Sequence, residues 1–520
     1  MLRTEKVEAA VQLNRDELFR FGVALLFIVG IMLFTIVRTD GGVDGVLLVI
    51  AAMIGGYMAM NIGANDVANN VGPAVGSHAI TLTGAIVIAA FFEAGGALIA
   101  GGEVVGTIKN GIIDPTLVAD RNTFIWLMIA ALLAAAVWLN FATAVGAPVS
   151  TTHSIVGGVL GAGIAASGWS IANWSEVGRI AASWVISPLL GGLIAAAFLF
   201  FIKRTITYRT DVIGAANRMV PLLVAVMAWS FGTYLMLKGV KHIWEVSFGM
   251  AALIGLAIAI VVFFGMRLII ARMTRKLENH KDSVNDLFTI PLIFAAALLS
   301  FAHGANDVAN AVGPLAGINE AIVGGAVTAK AAIPIWVLAV GAVGISLGLA
   351  LYGPKLIRTV GSEITELDKT RAYCIAMAAS ITVIVASQFG LPVSSTHIAV
   401  GGVFGVGFLR EYIKSSYART LQDIRDHHEN AGAQEVDAFL ARFEAADVAT
   451  KGEMLRVMKQ STGGKLLAKR ERKVLGRVHH VELVKRGLLL RIAAAWIITL
   501  PLAGLLAAMF FFMIRGMMLP

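Results

Sequence analysis

The chain has 520 residues, and its 42 Lys or Arg and 33 Asp or Glu leave it only 14% charged, where a soluble domain carries roughly 25%. Apolar residues reach 58% and mean hydropathy is +0.79, which excludes an ordinary soluble enzyme and points to an all-α polytopic membrane protein. A net charge of +9 does not argue for a nucleic-acid partner, because basic loops beside membrane helices are expected anyway.

Met1 to Arg20 is polar, and the apolar run 21–37 lacks a small-residue cleavage pattern, so it reads as an extra membrane helix rather than a signal peptide. Further helices are predicted near 45–76, 79–108, 178–202, 219–238, 246–266, 287–314, 321–353 and 488–514. Two regions between them, 123–167 and 373–409, are broken at Gly146-Ala147-Pro148-Val149-Ser150-Thr151-Thr152-His153 and at Gly390-Leu391-Pro392-Val393-Ser394-Ser395-Thr396-His397. Proline stops a helix, and non-helical backbone at membrane depth is tolerated only against protein or a water-filled cavity. Both regions are therefore predicted to be re-entrant hairpins lining a site, the alternative being tight turns outside the membrane between full helices.

Arg410 to Arg486 holds 27 of the 75 charged residues. This polar insert, 411–487, reads as cytoplasmic amphipathic helices with apolar faces at Phe439, Leu440, Phe443, Met454, Leu455, Val457 and Met458. Its basic stretch Lys465 to Arg477 suits anionic lipid, and a regulatory docking role is equally open. Lys and Arg also favour the N-terminus and loops 203–218, 267–286 and 354–371, which places all of these in the cytoplasm and the C-terminus outside. Cys374 is the single cysteine, so no internal disulfide or thiolate cluster is available.

Gly63-Ala64-Asn65-Asp66-Val67-Ala68-Asn69-Asn70-Val71-Gly72-Pro73 recurs 241 residues later as Gly304-Ala305-Asn306-Asp307-Val308-Ala309-Asn310-Ala311-Val312-Gly313-Pro314. The hydroxyl clusters recur 244 residues apart. Two motifs repeating in one order at nearly one offset indicate an internal duplication. An odd number of crossings separates the copies, so inverted-topology repeats with broken helices are predicted, the sequence mark of a secondary transporter with a midplane site. The chain divides into a tail and extra helix (1–44), a first repeat (45–202), connecting helices and loops (203–286), a second repeat (287–410), the insert (411–487) and a final helix of the second repeat (488–520).

The paired Gly-Ala-Asn-Asp-Val-Ala-Asn and Pro-Val-Ser-[Ser/Thr]-Thr-His motifs resemble those of the inorganic phosphate transporter family, over about residues 45–410 and the last helix. The resemblance implies an inner-membrane symporter of inorganic phosphate with sodium ions or protons, and in some bacterial members transport of metal–phosphate complexes. A sulfate carrier of the same fold, or a non-transporting phosphate receptor signalling through 411–487, are the alternatives. An enzyme is not expected, since no paired nucleophile and base accompanies the site. Membrane lipid is a further expected partner, and a homo-oligomer is allowed but not selected.

A half-helix beginning inside the membrane offers free N–H groups and the positive end of its dipole to an anion. Ser150, Thr151, Thr152, Ser394, Ser395 and Thr396 add hydroxyl donors, and Asn69 and Asn310 add amide donors, so these eight are the candidate phosphate ligands. Simple N-capping is the plainer role for either hydroxyl cluster alone. Asp66 and Asp307 lie in apolar segments with no Lys or Arg in their motifs, and an anion beside them would be repelled unless cations join. They are assigned to the coupling ion, sodium or a proton, with Asn65 and Asn306 as further oxygen ligands. Glu93, His153 and His397 are candidate accessories. Repeat arithmetic sets Pro334 opposite Glu93. His303, four residues before Asp307, has Ile62 as its counterpart, an asymmetry that suggests a local role.

Overall fold

The computed structural model describes residues 2–39, 41–144, 149–239, 246–324, 333–363, 368–427, 438–442, 454 and 486–518. Its helices in chain order are α1 (Leu2–Ile36), α2 (Gly42–Asn65), α3 (Val67–Gly76), α4 (Leu82–Ala100), α5 (Gly102–Gly106), α6 (Arg121–Ala144), α7 (Thr151–Ser167) and α8 (Trp174–Ile202). They continue with α9 (Val212–Lys238), α10 (Phe248–Thr274), α11 (Lys281–Leu287), α12 (Thr289–Gly324), α13 (Ile335–Glu363), α14 (Lys369–Gln388), α15 (Ser395–His427) and α16 (Arg486–Met518). Eleven segments among the described residues are long and apolar enough to cross a membrane, and no strand is found among them. The protein is a helical membrane protein.

Local chemistry starts several helices where the sequence offers a side-chain acceptor. Thr81, Ser150, Asn173, Asp211, Ser247 and Asp368 each accept from a backbone N–H in the first turn of the helix they precede. The outer helices keep apolar side chains exposed, as Val185, Leu189 and Leu193 do on α8 and Leu253, Val261 and Leu268 on α10. Exposed apolar surface of this kind is what lipid requires of a membrane-spanning bundle. By contrast α12 is buried along nearly its whole length, from Pro291 to Ala321. It is the central post of the molecule.

Small residues let the inner helices approach α12 and one another at backbone distance. A methyl group at Gly304 on α12 would collide with the carbonyl oxygen of Glu93 on α4, and one at Gly96 on α4 with that of Phe301 on α12. The same exchange joins α2 and α13, where Gly63 faces the carbonyl of Ile345 and Gly348 faces that of Met60. These contacts are related by offsets of 241 residues along α2 and α12 and 252 along α4 and α13. They set Ile345, not Pro334, opposite Glu93, because loop lengths between the paired helices differ. A second exchange involves the hydroxyl-bearing helices: Gly157 and Gly161 on α7 meet Leu500 and Gly504 on α16, and Gly401 and Gly405 on α15 meet Pro188 and Gly192 on α8.

Three boundaries differ from the sequence expectation. The apolar run 79–108 resolves into α4, α5 and a π-helical turn, Thr107–Gly111, whose Lys109 pairs with Glu320 of α12 at 2.6 Å. The helix after the second motif begins at Ile335 rather than 321, because α12 runs on through Gly324. Asp66 separates α2 from α3, whereas Asp307 lies inside unbroken α12. The break at Gly146 to Pro148 and most of the insert, including Phe443 and 455–485, lie outside the described residues.

Gly304→Ala, which must displace the backbone of α4, is expected to lower stability by about 1–3 kcal/mol. Gly106→Ala, with nothing within 4 Å of the added methyl, should cause no loss. Thermal unfolding of the two variants in detergent checks the contrast.

Candidate functional site

The centre is built where the start of α7, the start of α15, the α2–α3 break and the middle of α12 meet. Asp66 is 2% exposed. The Thr151 hydroxyl donates to its Oδ2 at 2.7 Å and the Thr396 hydroxyl to its Oδ1 at 3.4 Å. Both hydroxyl clusters therefore address one carboxylate. Asn69 Nδ2 donates to Thr396 Oγ1 at 2.9 Å, and Asn310 Nδ2 lies 3.2 Å from both Thr151 Oγ1 and Thr152 Oγ1. Thr152 in turn donates to the carbonyl of Val393 at 3.1 Å, joining the two Pro-Val segments directly.

Asn306 holds the second Pro-Val segment from the side. Its Nδ2 donates to Ser387 Oγ at 2.8 Å and to the Leu391 carbonyl at 3.1 Å, while its Oδ1 accepts from Val393 N at 3.2 Å. Thus the extended residues between α14 and α15 have their backbone groups satisfied at depth, as buried non-helical backbone must. Trp184 of α8 adds an indole N–H to the Pro392 carbonyl at 2.9 Å.

Some candidates stand elsewhere. Ser150 and Ser394 cap their own helices, each accepting from the backbone N–H of the histidine three residues on, at 3.3 and 3.4 Å. Asn65 turns its amide to Thr143 of α6. Ser395 Oγ is buried with no partner among the described residues. His153 and His397 pack ring to ring at 4.8 Å, and His153 also lies 3.9 Å from the Trp184 ring. Asn140 of α6 bridges Tyr57 and Asn61 of α2 beside this region.

Asp307 belongs to a second, adjoining network. Its Oδ2 lies 3.0 Å from His303 Nε2, and His303 Nδ1 lies 2.7 Å from Glu93 Oε2. Asn70 donates to the other Glu93 oxygen at 2.8 Å. Ligand atoms of Asp66, His303 and Asp307 all fall within 4.8 Å of one another. Three buried carboxylates thus share one region, and no Lys or Arg pairs with any of them among the described residues. Oδ1 of Asp307 has no hydrogen-bond partner there either. A donor set of carboxylate, hydroxyl and amide oxygens with surplus negative charge fits a bound cation. The spacing of His303 and Asp307 on one helix face is visible in the sequence; the link to Glu93, 210 residues away, carries no local signal.

Beside the tip of the α14–α15 segment lies a cavity of about 440 Å³, lined by Glu103, Thr107, Glu176, Arg179, Gln388 and Gly390 among others. The Thr107 hydroxyl donates to the Gly390 carbonyl at 2.7 Å. Gly390 has φ +64°, a left-handed conformation that favours glycine.

A multi-spanning helical protein with a buried, oxygen-lined centre and uncompensated carboxylates falls in the class of ion-handling transporters. The phosphate transporter family matches residues 62–507, and the chain belongs to that family. A Helicobacter pylori protein named "Putative phosphate permease" is 51% identical over 514 residues, covering 97% of this chain and 96% of the relative. A Pyrococcus abyssi relative of the same description is 39% identical over 377 residues, 72% of this chain and 92% of its own length. A solved structure titled "The sodium-dependent phosphate transporter" superposes with a TM-score of 0.75 at 30% identity, covering 91% of this chain and all of that one.

Thr151→Val removes the donor to Asp66 and an acceptor for Asn310 while keeping the side-chain volume. It is expected to lower stability by roughly 1–3 kcal/mol, the cost of an unsatisfied buried polar group, whereas Thr151→Ser should retain most of it. Unfolding midpoints in detergent test the pair.

Proposed function

We propose that the chain imports inorganic phosphate by symport with sodium ions, through alternating access about the centre described above. The observation that carries this reading is the hydrogen-bonded convergence of both hydroxyl clusters on Asp66, beside Asp307, with no Lys or Arg paired to either among the described residues. A phosphate monoanion or dianion cannot approach two ionised carboxylates at low dielectric unless cations enter with it. Coupling is then electrostatic in origin: each cargo makes the site acceptable to the other.

In this reading Thr151, Thr152, Thr396, Asn69 and Asn310 exchange their mutual hydrogen bonds for phosphate oxygens, and the first-turn N–H groups of α7 and α15 complete the anion cradle. Ser150 and Ser394 hold those helix ends, and Ser395 turns its spare hydroxyl inward. Asp66 and Asp307 carry the coupling cation, with Asn306 anchoring the Val393 backbone that faces it. The reciprocal glycine contacts support two halves of opposite orientation, 45–202 and 287–410 with 488–520. The two arms, α7 with α16 and α15 with α8, are the natural moving parts. The cavity over Gly390 marks one way in, with the Thr107–Gly390 bond across it. Lys and Arg bias supports a cytoplasmic N-terminus in an inner membrane.

Proteoliposomes loaded without sodium should take up labelled phosphate when an inward sodium gradient is imposed, and excess sulfate should not compete. Asp66→Asn and Asp307→Asn, folded by size exclusion, should each lower that uptake about 100-fold, equivalent to losing roughly 3 kcal/mol of cation binding. Uptake driven by a proton gradient alone would replace sodium as the partner, and normal sodium-coupled uptake by both variants would remove the carboxylates from the mechanism.

A further inference from the structure

We propose that Asp66, His303 and Asp307 form a site for a divalent first-row metal ion of the zinc type, oriented by Glu93, and that metal bound there competes with the coupling cation. This rests on the reading of Asp66 and Asp307 as cation-facing carboxylates, and it adds a nitrogen ligand that sodium coupling does not need.

Four observations carry the proposal. The three ligand atoms lie within 4.8 Å of one another in a fully buried setting. Glu93 Oε2 sits 2.7 Å from His303 Nδ1, so in the neutral imidazole a proton on Nδ1 is held by the carboxylate and Nε2 presents its lone pair on the side of Asp307. A carboxylate behind a ligating histidine is the usual outer-shell device for fixing its tautomer and raising its basicity. Nε2 and Asp307 Oδ2 stand 3.0 Å apart. Neither atom has a hydrogen-bond partner among the described residues, and metal–nitrogen and metal–oxygen bonds of about 2.0–2.2 Å set neighbouring tetrahedral ligands roughly 3.3 Å apart. Finally, Asp307 Oδ1 is buried without a partner.

The ligand chemistry selects the ion. Sodium is satisfied by oxygen alone, whereas imidazole with two carboxylates suits zinc and its first-row neighbours. Two aspartates beside a buried glutamate also set a charge that a divalent ion neutralises better than a monovalent one. The site occurs once among the described residues: the counterparts of His303 and Glu93 are Ile62 and Ile345, both apolar. Asp66 would bring its hydroxyl partners Thr151 and Thr396 into contact with the metal sphere, which is why metal and coupled transport exclude each other.

The test is a zinc titration of the purified full-length protein in detergent, free of phosphate, against a competing chelator. One zinc per chain is expected, with an apparent Kd that rises as sodium is added. His303→Leu should weaken zinc by more than about 100-fold and Glu93→Gln by about 10–100-fold, the range for an outer-shell partner. His303→Gln, which keeps a polar side chain against Glu93, serves if the leucine variant does not fold. Cobalt in place of zinc should give visible absorption typical of a nitrogen-containing site, lost in the same variants. Unchanged zinc affinity in a folded His303 variant, or no stoichiometric site, overturns the proposal. Sodium-driven uptake of phosphate by metal-free wild-type protein is measured alongside. Its absence with zinc binding intact would defeat the symport reading alone, and its presence with no zinc site would defeat this one alone.

Discussion

The centre of this protein is governed by the cost of buried negative charge. Asp66, Glu93 and Asp307 are withdrawn from solvent together, and among the described residues only His303 offers them a basic group. An uncompensated cluster of this kind is unstable by itself in a low-dielectric interior. Every neighbour therefore reads as a response to it: hydroxyls turned to Asp66, an amide to Glu93, and an imidazole strung between Glu93 and Asp307. What the fixed groups leave uncompensated is the charge that the coupling cations proposed above would supply.

That arrangement needs backbone placed accurately, and glycine provides it. The motif glycines Gly63 and Gly304 press against carbonyls of α13 and α4, which fixes the depth at which Asn-Asp follows on each helix. The hydroxyl-bearing helices α7 and α15 are held in the same manner against α16 and α8. Close Cα-to-carbonyl contact gives a stiff interface without long interdigitating side chains. Each hydroxyl cluster is packed tightly on the helix that backs it, whereas the contacts between clusters are a handful of hydrogen bonds such as Thr152 to Val393. Strong joints within arms and weak ones between them are what rearrangement about a site requires.

Much of this is legible in the sequence because the chemistry is local and duplicated. A carboxylate inside an apolar run, a hydroxyl cluster after proline, and their recurrence in order point to Asp66, Thr151, Thr152 and Thr396 without coordinates. The caps at Ser150 and Ser394 show where such reading is double-valued, since one hydroxyl can serve its own helix or a ligand. What escapes is contact between distant segments. Glu93 and His303 are 210 residues apart, and loop lengths differ between the halves, so counting residues sets Pro334 rather than Ile345 against Glu93. Asn65 and Asn306 occupy the same motif position, yet one faces Thr143 and the other anchors Val393. Their surroundings, not their spacing, separate them.

This inequality extends to the two aspartates. Asp66 is held by hydroxyls of α7 and α15, the same groups proposed above for phosphate, so in that reading its coordination would change when the anion arrives. Asp307 stands 3.0 Å from His303 of its own helix α12, and Glu93 of α4 backs that imidazole from its other nitrogen. The duplicated motif supplies two similar acids, but His303 and Glu93 stand on one side where Ile62 and Ile345 stand on the other, so the two acids have different neighbours. In the symport proposed above, cation and phosphate would meet at Asp66, because both would draw on the same hydroxyls.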